Sequence, residues 1–173
     1  MTSTITPTSP AADTRRGITF FEAASAPLLD DDGIMTPPHL EPEVRSLDLA
    51  PLADGAKVTV LFKSDGPNPM SLVHAWFGPG YRLPRHSHSA DCLYYVVAGE
   101  AHMGNRVIKA GDGFFVKSDQ PYAYQAGPDG IEILEFRGAA SFDMQIFDQT
   151  IAKWQPIVDA ATANHGRWIA EAR

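Results

Sequence analysis

Short runs of apolar residues, separated by turn residues, fill the middle of the chain. Residues 57–63 (KVTVLFK) alternate between apolar and polar, and 93–98 (LYYVVA) form a second β-prone run that ends at Gly99. The cluster 65–69 (DGPNP) is typical of a turn between strands. We predict about eight or nine short strands from near Val44 to residue 137, a number typical of a sandwich or a barrel.

After Ser141 the spacing of the apolar residues becomes helical. They recur at intervals of four and three residues, at Phe147, Ile151, Trp154, Val158 and Ala161. This is the stripe of an amphipathic helix. Ser141 is the expected N-cap, and Pro156 is expected to kink the helix or to begin a second one.

These patterns divide the chain into four parts. Residues 1–16 are rich in Ser, Thr and Pro and are expected to form a disordered tail. Residues 17–43 are expected to form an extended arm, 44–140 the β-barrel, and 141–173 one or two C-terminal amphipathic helices.

Composition and charge exclude several classes of partner. The 173 residues suit one domain, and the net charge of −7 comes mostly from the first fifty residues, with eight acidic against three basic side chains. Without a basic stripe or an apolar run of membrane length, we expect neither a nucleic-acid partner nor a membrane partner. The N-terminus lacks the apolar core of a signal peptide, and the single cysteine, Cys92, has no internal disulfide partner. A cytoplasmic protein is therefore expected.

The most informative residues are His86 and His88, one residue apart just before the 93–98 run. Residues i and i+2 of a strand point to the same face of a sheet. Two imidazoles at this spacing can converge on one metal ion, and neutral imidazole suits Zn, Cu, Fe and Ni.

The segment around these histidines resembles the first cupin motif. Gly80, five residues, His86, one residue and His88 match its start, and Gly99 matches its end. Cys92 stands where the family has its glutamate. A counterpart of the second motif begins at Gly111 (GDGFFVKSDQPYAYQAG), with Tyr122 where the family has its third histidine. The resemblance covers about residues 44–137.

The resemblance implies an all-β fold, the double-stranded β-helix or jelly-roll barrel. It also implies a divalent transition metal (Fe, Zn, Mn or Ni) and a homodimer that pairs through its sheets. Cupins include dioxygenases, lyases, isomerases and non-catalytic binding proteins, so the fold does not define the reaction.

The expected metal ligands are His86 and His88, joined by Cys92 and His102. Catalytic metal sites usually have three protein ligands. Tyr122, His102, Cys92 and a glutamate remain alternatives for the third. Cys92 also suits the interior as a small apolar filler, and His102 faces inward only if the hairpin after Gly99 keeps its register.

Other side chains are predicted to line the barrel cavity. Tyr122 and Glu135 are the candidate acid–base groups, provided that Glu135 rather than Glu132 faces inward. The candidate substrate-binding residues are Tyr94, Tyr124, Trp76 and Arg85, with Arg85 suited to hold a carboxylate near the mouth.

The sequence favours a metal-dependent cupin enzyme that acts on a small aromatic or apolar molecule of the carbonyl or enol type, by dioxygenase, lyase or isomerase chemistry. Two alternatives remain. One is a small-molecule-binding cupin without catalysis, favoured by the two replaced ligands. The other is a cofactor-free cyclase or isomerase that uses tyrosine and histidine as acid and base.

Overall fold

The computed structural model describes residues 14, 15 and 17–171, which form β-strands and one long C-terminal helix. In chain order the strands are β1 (Thr14–Arg15), β2 (Ile18–Thr19), β3 (Met35–Thr36), β4 (Ala56–Ser64), β5 (Met70–Phe77), β6 (His86–Ser87), β7 (Cys92–Met103), β8 (Arg106–Lys109), β9 (Gly113–Val116), β10 (Gln125–Arg137), β11 (Phe142–Asp143) and β12 (Gln145–Ile146). The helices are α1 (Leu29–Asp32), α2 (Pro42–Arg45), α3 (Ala50–Ala53) and α4 (Ile151–Glu171). The predicted all-β fold with a C-terminal helical segment is confirmed.

The main sheet is antiparallel and has the order β4-β5-β10-β7-β8, with β9 also paired to β7. Its inner face carries a core of aliphatic and aromatic side chains that includes Ala75, Val96, Ile131 and Ile133. The alternation in β7 follows from its pleat, since Tyr94 is buried whereas its neighbour Tyr95 is exposed. The same alternation in β10 places every second side chain in the interior.

The alternation of β7 changes at Val97 and Ala98, which are both exposed, because Val96 pairs with Ile133 of β10 whereas Ala98 pairs with the adjacent Glu132. The next residue, Gly99, has a left-handed backbone with φ of +70°, and the register against β10 is also irregular between Ala126 and Ile131. A Cβ at Gly99 would lie 2.1 Å from the carbonyl oxygen of Gly130, so no larger residue fits. Beyond this point Ala101 becomes the buried residue, and side chains of even number no longer face the core.

Short strand pairs lie over the inner face of the main sheet. β6 pairs with β12, and His86 also forms a bridge with Tyr122 through two backbone hydrogen bonds of 2.9 Å. β3 pairs in parallel with β11, whose Phe142 is buried. These pairings bring both cupin-like segments to one side of the core.

The N-terminal arm packs against the domain as short elements. Leu28 forms a bridge with Thr59 of β4, and Val44 of α2 is fully buried beside Trp154. The strands of the barrel therefore begin at Ala56 rather than near Val44. The predicted disordered tail, 1–16, lies outside the described residues except for β1, which pairs with β2.

The long helix α4 runs from Ile151 to Glu171 with Pro156 inside it. It begins later than Ser141, because the intervening residues form β11 and β12, and no second helix begins at Pro156. None of the described helices has the length and apolarity needed to cross a membrane.

The outer face of the main sheet exposes large apolar side chains. Leu93, Tyr95 and Val97 of β7 are 51%, 47% and 44% exposed, and Phe115 of β9 is 54% exposed. Such a face suits contact with another surface. The expected homodimer stays a prediction.

Helix α4 is anchored through Trp168, which is fully buried. Its indole Nε1 donates to the Pro79 carbonyl at 2.9 Å, and its ring packs against Tyr81 at 5.5 Å between centroids. We expect Trp168→Ala to lower the free energy of unfolding by about 3–5 kcal/mol, because it leaves a cavity and an unpaired carbonyl. Urea denaturation measures this change.

The control is Ile169→Ala, one residue further along α4. Ile169 is 41% exposed, so its truncation should change the unfolding free energy by about 0.5 kcal/mol or less. Equal losses from the two variants would contradict the anchoring role of Trp168.

Candidate functional site

The site is built around the buried side chains of His86 and His88. His86 Nδ1 lies 2.8 Å from the Pro84 carbonyl oxygen, and His88 Nδ1 lies 2.7 Å from that of Asp143. A carbonyl oxygen only accepts hydrogen bonds, so each Nδ1 carries the proton. In each neutral ring Nε2 is therefore the atom with the free lone pair, which is the form that binds a metal.

Burial also keeps both rings neutral. It lowers the pKa of His86 to about 4, with the neighbouring His88 and Arg137 acting in the same direction. Burial, and next the positive Arg137, lower the pKa of His88 as well. The two ring centroids are 5.0 Å apart. At neutral pH the pair thus presents two uncharged imidazoles side by side.

Two tyrosines stand next to this pair. The Tyr122 ring lies 4.4 Å from that of His86, and its hydroxyl forms a short hydrogen bond with the hydroxyl of Tyr94. Burial, and next the carboxylate of Glu135, raise the pKa of Tyr122 well above its usual value. The phenol is therefore protonated at neutral pH and can donate a proton or a hydrogen bond.

An ion pair continues the network at the end of β10. Arg137 Nη2 donates to Glu135 Oε2 at 2.6 Å and lies 3.5 Å from the Tyr94 hydroxyl oxygen. The Arg137 side chain is 1% exposed and that of Glu135 is 12% exposed. Glu135 thus faces inward, a choice that the sequence left open, whereas Glu132 lies 3.5 Å from His74 outside this network.

Cys92 is buried on the same face of β7 as Tyr94. Burial raises the pKa of its thiol to about 12, so the thiol is protonated at neutral pH. Since the thiolate is the form that binds metals, this environment favours the alternative role of Cys92 as an apolar filler.

Three predicted site residues lie outside this network. His102 binds Glu100 Oε1 at 2.8 Å with a side chain 40% exposed, because the alternation of β7 changes at Val97 and Ala98. Trp76 lies on the outer face of β5, between the buried Ala75 and Phe77. Arg85 points to the surface, where it binds Asp148 at 3.3 Å, because its neighbour His86 takes the inward direction. The predicted inward placements of His102 and Trp76 were therefore wrong, and Arg85, predicted near the mouth of the barrel, lies at the surface.

Arg85 instead lines a separate surface pocket of about 180 Å³ beside α4, together with Phe147 and Lys153. Tyr124, also predicted to bind substrate, lies in the interior. Its ring centroid is 6.0 Å from that of Phe114 and 6.4 Å from that of Tyr122. Phe115 of β9 is exposed, whereas its neighbour Phe114 faces inward and stacks on Tyr94 with 4.5 Å between ring centroids.

Sequence reasoning missed Arg137 as a site residue. The spacing that makes Glu135 an inward residue of β10 also places Arg137 inward, because residues i and i+2 share a face. Sequence reasoning also missed Asp143, whose carbonyl binds His88 and whose carboxylate accepts from the Ser89 amide at 2.8 Å. No motif marks this contact between distant segments.

Two of the predicted metal ligands are placed so that they could hold a metal ion. His86 and His88 fit a divalent transition metal, since each has its Nδ1 fixed by a carbonyl and its Nε2 lone pair free. In the described part of the chain no third His, Cys, Asp or Glu joins them in a group that could hold a metal. The predicted four-ligand set with Cys92 and His102 is therefore not assembled, and Tyr122 is the neighbour left to complete the set.

Comparison with solved structures gives cupin-fold neighbours. An RmlC-like cupin protein from Ralstonia eutropha JMP134 is similar at 16% identity and a TM-score of 0.48, over 68% of this chain and 66% of that one. A structure of DMSP lyases is similar at 24% identity and a TM-score of 0.42, over 47% of this chain and 46% of that one. The polyketide cyclase RemF from Streptomyces resistomycificus is similar at 20% identity and a TM-score of 0.43, over 48% of this chain and 64% of that one.

These likenesses concern the fold alone. The chain spans less than two thirds of the length of each of these three structures. No family model and no curated protein matches the sequence.

The neutral state of His86 predicts a pH dependence of stability. Its pKa is about 4 in the folded chain, against 6.5 for the free side chain. Between these values the unfolded chain binds a proton that the folded chain does not, so stability falls as the pH falls. For protein freed of divalent metal we expect His86 alone to remove about 2 kcal/mol of unfolding free energy between pH 7 and pH 5.

Urea denaturation at the two pH values tests this expectation. His86→Gln should reduce the pH dependence, whereas His39→Gln should leave it intact, because the His39 side chain is 71% exposed. The same dependence in His86→Gln as in the unmodified protein would contradict the assignment.

Proposed function

We propose that this cupin-fold chain is a metal-dependent enzyme that acts on a small organic molecule in the barrel interior. The observation that carries the proposal is the pair His86 and His88. Each Nδ1 is bound to a backbone carbonyl, and neither Nε2 has a hydrogen-bond partner among the described residues. Buried histidines that serve only as core residues need a partner for both ring nitrogens. This pair is instead oriented as metal-ligating histidines usually are.

Tyr122 is the proposed third ligand, through its hydroxyl oxygen, because a dication held by the adjacent histidines would promote loss of the phenol proton. Its ring lies beside His86, and its backbone is joined to that of His86 by two hydrogen bonds of 2.9 Å. A divalent ion held by these three residues would polarise a carbonyl or enol oxygen as a Lewis acid. This chemistry is common to the lyase, isomerase and dioxygenase hypotheses.

The rest of the network supplies the proton. The Tyr94 hydroxyl is hydrogen-bonded to that of Tyr122 and receives a long contact from Arg137, which is held in turn by Glu135. A proton can therefore pass between the tyrosine hydroxyls without entering bulk water. The aromatic rings of Tyr94, Phe114 and Tyr124 provide an apolar surface suited to an aromatic or apolar substrate.

Metal analysis tests the proposal directly. Protein purified without a nickel column should contain close to one equivalent of a divalent transition metal, measured by inductively coupled plasma mass spectrometry. We expect His86→Ala/His88→Ala to lose the metal. The matched control is His74→Ala/His102→Ala, which changes two histidines outside the network and should keep it. Metal content unaffected by the first double variant would contradict the site.

The cofactor-free acid–base alternative is favoured by one observation, the lack of a third His, Cys, Asp or Glu beside the pair among the described residues. In that case Tyr122 and Tyr94 act as acid and base, and the histidines bind the substrate. The two functions differ in what Tyr122 does to metal affinity.

Tyr122→Phe distinguishes them. If the hydroxyl oxygen is a ligand, we expect the affinity for Zn²⁺, measured by competition with a chelator, to fall by about tenfold or more. Tyr124→Phe is the matched control, because Tyr124 is also buried and aromatic but does not adjoin His86 through the backbone bridge. A Zn²⁺ affinity unchanged by Tyr122→Phe would favour the acid–base role.

A further inference from the structure

Arg137 is a buried arginine with more donors than the surrounding protein uses. A guanidinium carries five N–H groups and no acceptor. Nη2 donates to Glu135 Oε2 and approaches the Tyr94 hydroxyl. Nε and Nη1 are buried and have no hydrogen-bond partner among the described residues. Unpartnered donors at a buried charged group are costly in a folded protein unless something else pairs with them.

A further unpartnered polar side chain lies directly opposite Arg137 on the neighbouring strand. Ser71 of β5 is the cross-strand partner of Arg137, and its buried Oγ has no hydrogen-bond partner in the described part of the chain. Directly opposite residues of an antiparallel pair point to the same face, with Cβ atoms about 5 Å apart. Unpartnered hydroxyl and guanidinium groups therefore lie side by side where the start of β5 pairs with the end of β10.

The surroundings fix which groups are available. The face of the guanidinium is covered by the Phe142 ring, 3.9 Å from the Arg137 Cζ, so the in-plane N–H groups are what remains. The Phe142 ring also packs against His88 at 5.3 Å. The free donors therefore lie in the same part of the interior as the histidine pair.

The unpartnered donors indicate the chemistry of the group that fits there. The histidines are neutral, and Arg137 and Glu135 together carry no net charge. A group that accepts hydrogen bonds from Arg137 and Ser71 needs oxygen lone pairs, and one negative charge strengthens its bonds to the guanidinium. A carboxylate meets both requirements with a single charge, which is less costly to bury than the two charges of a phosphate.

We propose that Arg137, assisted by Ser71, binds the carboxylate group of a small organic ligand beside the histidine pair. The inference rests on the proposed function in taking the barrel interior as the ligand site, and it adds that the ligand is a carboxylic acid. Glu135 holds Nη2 and orients the guanidinium, which leaves the other nitrogens for the ligand. This assigns to Arg137 the role that the sequence had suggested for Arg85.

The test uses the full chain freed of metal by chelation, with acetate, pyruvate and benzoate as probes. Acetamide and benzamide are the uncharged counterparts. Binding is measured by calorimetry for the unmodified protein and for Arg137→Gln, Ser71→Ala and Arg85→Gln. We expect at least one carboxylate to bind saturably, Arg137→Gln to weaken it by about tenfold or more, Ser71→Ala to weaken it less, and Arg85→Gln to have no effect. The amides should bind no more weakly to Arg137→Gln than to the unmodified protein.

Because Arg137→Gln alters a buried ion pair, a second measurement avoids the variant. The Nε–H signal of Arg137, followed by NMR in the unmodified protein, should shift during titration with the carboxylate and stay in place with the amide. This reports the contact itself even if Arg137→Gln does not fold.

Several outcomes overturn the inference. They are the lack of saturable binding by any of the three carboxylates, binding insensitive to Arg137→Gln in a folded variant, an unmoved Nε–H signal, or binding that occurs only in metal-loaded protein. The last outcome would place the carboxylate on the metal. A protein that binds metal but fails these tests keeps the proposed function, whereas one that binds a carboxylate through Arg137 but no metal loses the metal-dependent function alone.

Discussion

The antiparallel pairing of β10 with its two neighbours positions the buried ion pair of the site and the Tyr94 hydroxyl beside it. β10 places Glu135 opposite Tyr94 of β7, and Arg137 between Cys92 of β7 and Ser71 of β5. A shift of one residue in this register would turn the ion pair to the outer face and bring apolar residues such as Phe136 inward. The histidine pair on the facing segment would then have no polar network to meet.

Burial acts on this network in two opposite ways. It keeps the two imidazoles neutral, which preserves their metal-binding form, and it makes the ion pair of Glu135 and Arg137 costly unless each group is well bonded. A pair of apolar residues of similar volume would often be no less stable. The presence of a buried pair with spare donors beside two oriented histidines therefore favours a functional reason for it over a structural one.

Sequence patterns predicted the parts of the fold that depend on local periodicity. Alternation in β7 was enough to place Tyr94 inward, and the spacing of His86 and His88 placed both rings on one face. Alternation in β10 left open whether Glu132 or Glu135 faces inward, because both faces of that strand carry apolar residues. The alternation in β7 failed for His102, because β7 has one extra residue at Val97 and Ala98 relative to β10. A bulge of this kind depends on the pairing with β10, which lies far along the chain.

Other errors had a different cause. Trp76 and Arg85 are candidate substrate-binding residues because of their side-chain chemistry alone. Each is next to a residue that faces the interior, so strand alternation directs its own side chain outward. The start of α4 was placed too early because β11 and β12 are only two residues long and leave no periodic signal. The carbonyl of Asp143, which orients His88, belongs to one of these short strands.

Trp168 completes the packing at one end of the barrel, where its ring fills the space left by two glycines that flank the strands. A Cβ at Gly55 would lie 2.5 Å from the Trp168 ring, and one at Gly78 would lie 2.3 Å from it. The three residues therefore form a single volume shared between the start of β4, the end of β5 and the last turns of α4. Homologous barrels that lack this tryptophan would need larger residues at both glycine positions, so the three positions should vary together rather than one at a time.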